Sequence, residues 1–206
     1  MLLLALLIAA IPLAAFLVQV FFGRRLPRGG DWVSLLAIVL AFCFSLPFFY
    51  RALAAYDPHF RMPFERWTWL DLGDFRIAVG ILMDNITAIM LMVVTVVSGV
   101  VHFYSVGYMH GDPRYPRFFG FLSLFSFSML GLVLVDNFLL LYVFWELVGL
   151  SSYLLIGFWY ERPSAAAACK KAFLVNRVGD FGFFVGIMIL FWKLGAFDYE
   201  GVFRGI

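Results

Sequence analysis

Residues 138–160 read FLLLYVFWELVGLSSYLLIGFWY, an unbroken apolar run interrupted by one formal charge, Glu146. A helix needs roughly 20 apolar residues to cross the hydrocarbon core, whereas a barrel strand needs about 10 that alternate between faces. This run is long enough for the helix and lacks the alternation of the strand. Comparable runs occupy residues 2–22, 32–53, 85–109, 118–135 and 165–194. The expected fold is therefore an all-α membrane protein, a bundle of about six transmembrane helices. Composition agrees: 64% of the 206 residues are hydrophobic and 14% charged, against roughly 45–50% and 25% in a soluble domain. Mean hydropathy is +0.96.

The first run has no basic residue before it and ends at Gly23-Arg24-Arg25 without a small-residue cleavage site, so it reads as a retained helix and not a signal peptide. Basic residues concentrate in three short loops. Arg24, Arg25 and Arg28 lie in 23–31, Arg114 and Arg117 in 110–117, and Arg162, Lys170 and Lys171 in 161–171. The positive-inside rule puts these loops in the cytoplasm, or the matrix of an organelle. The opposite side then receives residues 54–84, the tight Asp136-Asn137 turn and the C-terminal tail. Arg61, Arg66 and Arg76 in the long segment work against this orientation, although Asp57, Glu65, Asp71 and Asp74 offset them. Within that segment, aromatic and β-branched residues at 67–70 and 75–79 flank Asp71-Leu72-Gly73-Asp74. They read as a small extracytoplasmic hairpin or as an interfacial aromatic belt carrying Trp67 and Trp69, and the two are compatible. Residues 197–204 read as the start of an interfacial loop, so the chain is expected to be the front part of a longer one.

A net charge of +2 with scattered basic residues gives no nucleic-acid footprint. Cys43 and Cys169 define no disulfide framework or metal motif. His102 and His110 share one segment, which disfavours a haem held between facing helices. No phosphate loop, dinucleotide fingerprint or nucleophile triad is present.

Charges in the spans are the informative residues, because an ionisable group at the bilayer centre costs about 2.5–3.5 kcal/mol on insertion scales. Glu146 lies within one turn of the middle of 138–160, beside the small Gly149. It reads as a proton-path carboxylate or as a hydrogen bond between helices. Arg177 and Asp180, three residues apart on the last span, share a face and can pair. Lys170 continues their stripe while Lys171 is turned by about 100°; both also read as ordinary positive-inside anchors. His102, in the third span, is a packing residue or a proton-path member. Buried carboxylates next to basic groups are the parts of which proton relays are made.

DNFLLLYVFWELVGLSSYLLIGFW (136–159), followed by AAAACKKAFLVNRVGD (165–180), closely resembles the chain 5 (L-type) antiporter-like membrane subunit of respiratory complex I, the proton-pumping NADH:quinone oxidoreductase. Met83-Asp84 and HFYSVGYMH (102–110) resemble it too. The resemblance implies a membrane-arm subunit of the bacterial cytoplasmic or mitochondrial inner membrane, a non-redox part of a translocase, with other membrane-arm subunits and the lipid bilayer as partners. It implies no cofactor in this chain and places NADH, FMN, iron–sulfur clusters and quinone in partner subunits. By matching position, Glu146 corresponds to the family's fifth-helix glutamate, proposed to pair with a seventh-helix lysine. Arg177 and Asp180 correspond to the sixth-helix pair that tunes it, Lys171 to the lysine of Ala-x-Lys-Ala-Phe, and His102 to a histidine near the third helix's cytoplasmic end. Residues 1–83 are then an N-terminal segment with two helices, and 84–206 begin the proton-translocating part. The seventh-helix lysine and the channel-lining broken helices are not within these 206 residues, so the chain is not expected to move ions by itself. An Mrp-type cation/proton antiporter subunit and a non-transporting membrane scaffold are the alternatives.

Overall fold

In lipid a backbone has no water to bond, so each apolar run closes its hydrogen bonds within itself as a helix. The computed structural model describes residues 1–55, 60–62, 66–71 and 76–205. Among them are six helices long and apolar enough to cross a membrane. They are α1 (Leu2–Phe22), α2 (Asp31–Ala55), α3 (Asn85–Tyr108), α4 (Tyr115–Leu134), α5 (Phe138–Ile156) and α6 (Pro163–Leu194). The chain is an integral membrane protein.

Helix ends differ from the sequence reading by a few residues, and local chemistry accounts for the shifts at α4, α5 and α6. Prolines in the first turn start α4 and α6 earlier than expected, since a missing N–H costs nothing there. Gly157 stops α5 short of Tyr160, its N–H bonding the Tyr153 carbonyl at 3.0 Å. The tail corrects the expectation of a plain loop at 197–204. It forms a further short helix, α7 (Tyr199–Gly205), because the Asp198 carboxylate accepts from Gly201 N–H at 3.0 Å and Glu200 pairs with Arg204 one turn on.

Helix α4 is the hub. Of its apolar stretch 56% is buried, against 6% for α5 and 11% for α6. Helix α1 packs on α2 and α4, α3 on α2 and α4, and α5 joins α4 to α6. The face of α1 that turns inward carries Ala5, Ile8, Pro12, Ala15 and Gln19, a three-to-four-residue spacing. Ala5 and Ile8 meet Ile38, Ala41, Phe48, Leu91 and Leu130 in one core. Between α4 and α5 the approach is close enough to require glycine: a Cβ on Gly131 would lie 2.2 Å from the Phe144 ring. That ring is itself held edge-on to Phe127, with centroids 5.6 Å apart.

Between α2 and α3, β1 (Arg61–Met62) pairs antiparallel with β4 (Met83–Asp84), and β2 (Trp67–Asp71) with β3 (Arg76–Val79). The β2–β3 pair takes in parts of the two aromatic and β-branched stretches, with Trp67 and Trp69 exposed. Residues 72–75 between the strands, together with Asp57 and Glu65, lie outside the described residues.

A polar clamp fastens this segment to the helix bundle. Arg66 Nε is 2.7 Å from the buried Asp136, and its other nitrogens reach Asp198 at 3.0 Å and Glu200 at 3.5 Å. Asp136 also accepts from Gly80 N–H at 2.9 Å, where a Cβ would collide with the carboxylate. Asn137 caps α5 by accepting from Leu140 N–H at 2.7 Å and donates to the Ala78 carbonyl at 2.8 Å. Backbone bonds from Tyr199 N to Asp136 O, 3.0 Å, and from Phe138 N to Phe197 O, 2.9 Å, close the knot. The segments expected to share one membrane side are thus joined at one end of the bundle.

Gly131→Ala is expected to lower the thermal midpoint of the purified full-length protein by several degrees, the overpacking cost of about 1–3 kcal/mol exceeding the gain in helix propensity. Gly99→Ala, with nothing within 4 Å of the added carbon, is expected to leave the midpoint unchanged or slightly raised.

Candidate functional site

The sequence offered two charged faces on separate spans, and the fold sets them opposite each other. Arg177 of α6 forms an ion pair with Glu146 of α5 and lies 3.8 Å from Asp180, its neighbour one turn on. The guanidinium is thereby shared between two carboxylates. Asp180 is the more buried of the two acids, its side chain 6% exposed against 21% for Glu146. A fourth member was not expected from the sequence: the indole Nε1 of Trp145 donates to Asp180 at 2.8 Å. Its signal was adjacency to Glu146, which puts one residue on the acid and the next on the acid's neighbour.

Packing fixes these groups in place. The Arg177 guanidinium rests 4.6 Å from the centroid of Phe173, one turn earlier. Tyr142 and Trp145 meet the Phe183 ring, and Tyr153 meets Phe173, so aromatic contacts knit α5 to α6 on both sides of the charges. Beside the network lies a cavity of about 440 Å³ bordered by Ser152, Asn176, Gly179 and Asp180 as well as Trp145 and Gly149. Gly149 faces the cation across open space, the nearest atom to an added Cβ being Arg177 Nη2 at 4.0 Å. Glu146 Oε1 and Arg177 Nε are buried and take no hydrogen bond among the described residues. The pair therefore keeps bonding capacity in reserve.

Arginine does not give up its proton, so any change of charge here falls on Glu146 and Asp180. With all three ionised the network carries one excess negative charge, which a proton on either acid removes.

The other sequence candidates stand apart. His102 is buried between α3 and α4; its Nδ1 lies 2.8 Å from the Ser98 carbonyl, and Ser98 Oγ is 2.6 Å from Ser126 Oγ. No hydrogen bond or ion pair among the described residues joins His102 to the Glu146 network. Lys170 and Lys171 are exposed and make no ion pair among the described residues. Lys170 and Arg177 both lie on α6, and no hydrogen bond or ion pair among the described residues joins them.

Residues 69–119 match the family described as NADH-Ubiquinone oxidoreductase (complex I), chain 5 N-terminus, and residues 135–205 match NADH:quinone oxidoreductase/Mrp antiporter, TM. A relative from Mycobacterium tuberculosis, NADH-quinone oxidoreductase subunit L, is 42% identical over 200 residues, covering 97% of this chain and 32% of that protein. The chain belongs to the chain 5 (L-type) antiporter-like family. Subunit L of Neisseria meningitidis serogroup B is 45% identical over 203 residues, covering 96% of this chain and 30% of its own length. A chloroplastic NAD(P)H-quinone oxidoreductase subunit 5 of Anthoceros angustus reaches 55% over 139 residues, 68% of this chain and 19% of the relative. This L-type chain thus spans between 19% and 32% of the length of these curated relatives. Its fold is similar to that of part of a chain in the membrane-bound sulfane sulfur reductase, an archaeal respiratory membrane complex, with TM-score 0.78 at 17% identity, covering 96% of this chain and 39% of that one.

Within this antiporter-like family member, Trp145→Phe is expected to cost about 1.5–3 kcal/mol of stability, as a hydrogen bond to a charged group is lost. In an Asp180→Leu background the same change is expected to cost under about 1 kcal/mol, because its acceptor is gone. Denaturant unfolding of the four full-length proteins of this cycle measures the coupling.

Proposed function

We propose that the full-length protein is a membrane-arm subunit of proton-pumping NADH:quinone oxidoreductase, in which the Glu146–Arg177–Asp180 network moves charge in step with quinone chemistry carried out by partner subunits. The observation that supports this reading most directly is one guanidinium held between two carboxylates, in mid-span, beside an open cavity. Charges at that depth normally face a hydrated path or a bundle interior. A small displacement of Arg177 toward Asp180 releases Glu146 to take up a proton, and its return expels that proton. The names of the relatives, all subunits of quinone oxidoreductases, support the same assignment.

In this reading residues 84–206 open the translocating part, and 1–83 supply two supporting helices with the extracytoplasmic hairpin. His102 and Lys171 extend the proton path through water or through neighbouring helices of the full protein. NADH, FMN, iron–sulfur clusters and quinone belong to partner subunits. The family match over 135–205 also carries the Mrp antiporter name, which keeps a cation/proton antiporter as the second reading. Purification from native membranes separates the two. A large assembly that oxidises NADH is expected, whereas a small inactive one favours the antiporter.

Glu146→Gln in the full-length protein is expected to lower the coupled NADH:quinone rate and proton pumping while the complex still assembles. Asp180→Asn is expected to lower them less, since Arg177 keeps Glu146 and Asn can still accept from Trp145. Normal coupled rates in an assembled Glu146→Gln complex would remove Glu146 from the proton path and leave the network a structural joint.

A further inference from the structure

At the end of the bundle away from the Arg66 clamp, the fold brings together two of the basic loops that the sequence keeps far apart. Arg24 and Arg25 follow α1, and Arg114 and Arg117 bracket the start of α4. All four border one pocket of about 700 Å³, and no carboxylate lines it. Arg114 is the one already engaged, bonding Glu161 at 2.6 Å. Arg24, Arg25 and Arg117 have no ion-pair partner among the described residues. Aromatic rings hold the guanidiniums in position: Arg114 lies 5.3 Å from the Tyr160 ring centroid and Arg117 5.1 Å from that of Phe121.

Like charges gathered this closely repel unless an anion sits among them. The pocket wall indicates what kind of anion. Val20 and Phe21 line it from α1, and with Leu17 they form an exposed apolar strip running from the arginines toward the membrane interior. On the inner side Gln19 is buried, and its Oε1 accepts no hydrogen bond from any described residue. A cationic rim, a polar inner wall and an apolar strip beneath fit a molecule with a phosphate at one end and hydrocarbon at the other. Basic pockets between helix ends on the positive side of a membrane are suited to such headgroups.

We propose that this pocket seats the headgroup of an anionic phospholipid, its phosphate bridging Arg24 and Arg25 of the α1 end to Arg117 of α4 and its acyl chains lying along Leu17, Val20 and Phe21. The lipid then fastens α1 to α4 at the headgroup level. The site needs neither the redox reading nor the antiporter reading.

The test uses the full-length protein in its native assembly, reconstituted in nanodiscs of phosphatidylcholine with a minor fraction of phosphatidylglycerol and then extracted for counting of retained lipid. Arg24→Gln/Arg25→Gln is expected to retain about thirtyfold less phosphatidylglycerol than the parent, given about 1 kcal/mol per arginine near a headgroup and about 1.4 kcal/mol per tenfold. Arg117→Gln, which leaves α1 unchanged, is expected to show a smaller loss in the same direction. Arg162→Gln, whose side chain stacks on Trp159 outside the pocket, is expected to show none. Excess inorganic phosphate is expected not to displace the lipid. Displacement by phosphate would make this a free-anion site, and equal retention in all variants would give the pocket to a protein segment; either result overturns the proposal.

Discussion

The hydrocarbon core supplies no water, and a polar group that enters it is costly until it finds a partner inside the protein. Serines and threonines show the rule at its mildest. Thr95, Ser126, Ser128 and Ser151 each return their hydroxyl to the carbonyl four residues earlier, at 2.7 to 3.0 Å. Gln19, Ser34 and Ser123 answer one another between α1, α2 and α4. The charged residues of α5 and α6 follow the same rule under a heavier penalty, so their pairing dictates how those two helices meet. Helix α4 carries three of the buried serines, Ser123, Ser126 and Ser128, and packs against α1, α2, α3 and α5.

Much of this was legible in the chain. Long apolar runs give helices because lipid leaves the backbone no other choice. The apolar runs put the starts of α3 and α5 at residues 85 and 138, where the structure has them, and Asp84 and Asn137 supply the side-chain caps. The three-residue spacing of Arg177 and Asp180 indicated a shared face, and the position of Glu146 indicated a buried acid. What stayed hidden depends on which helices become neighbours. Nothing local says that Glu146 finds Arg177, or that Trp145 turns its indole to Asp180. Arg66 is the clearest case: in the sequence it only blurred the charge asymmetry, yet it joins Asp136, Asp198 and Glu200, far away in the chain. The short α7 has a local cap and a local Glu200–Arg204 pair, but only its docking on the α4–α5 turn through Tyr199 depends on which segments become neighbours.

Charge is distributed in three tiers. One end carries the Arg66 clamp, in which carboxylates outnumber the cation. The middle carries a pair of acids on one arginine. The far end carries a surplus of arginine, eased by aromatic rings. Each tier draws on residues from separate spans, so each is also a joint between helices.

The clamp has a mechanical corollary. It pins the start of α5 to the chain just beyond α6, and the six residues 157–162 join the far end of α5 to the start of α6. Helix α6 is therefore a beam held at both ends. Arg177 lies about 17 residues from Gly195, roughly 26 Å at about 1.5 Å per residue. Supported on either side, α6 keeps its guanidinium at one height against α5, and the ion pair with Glu146 forms between two fixed points.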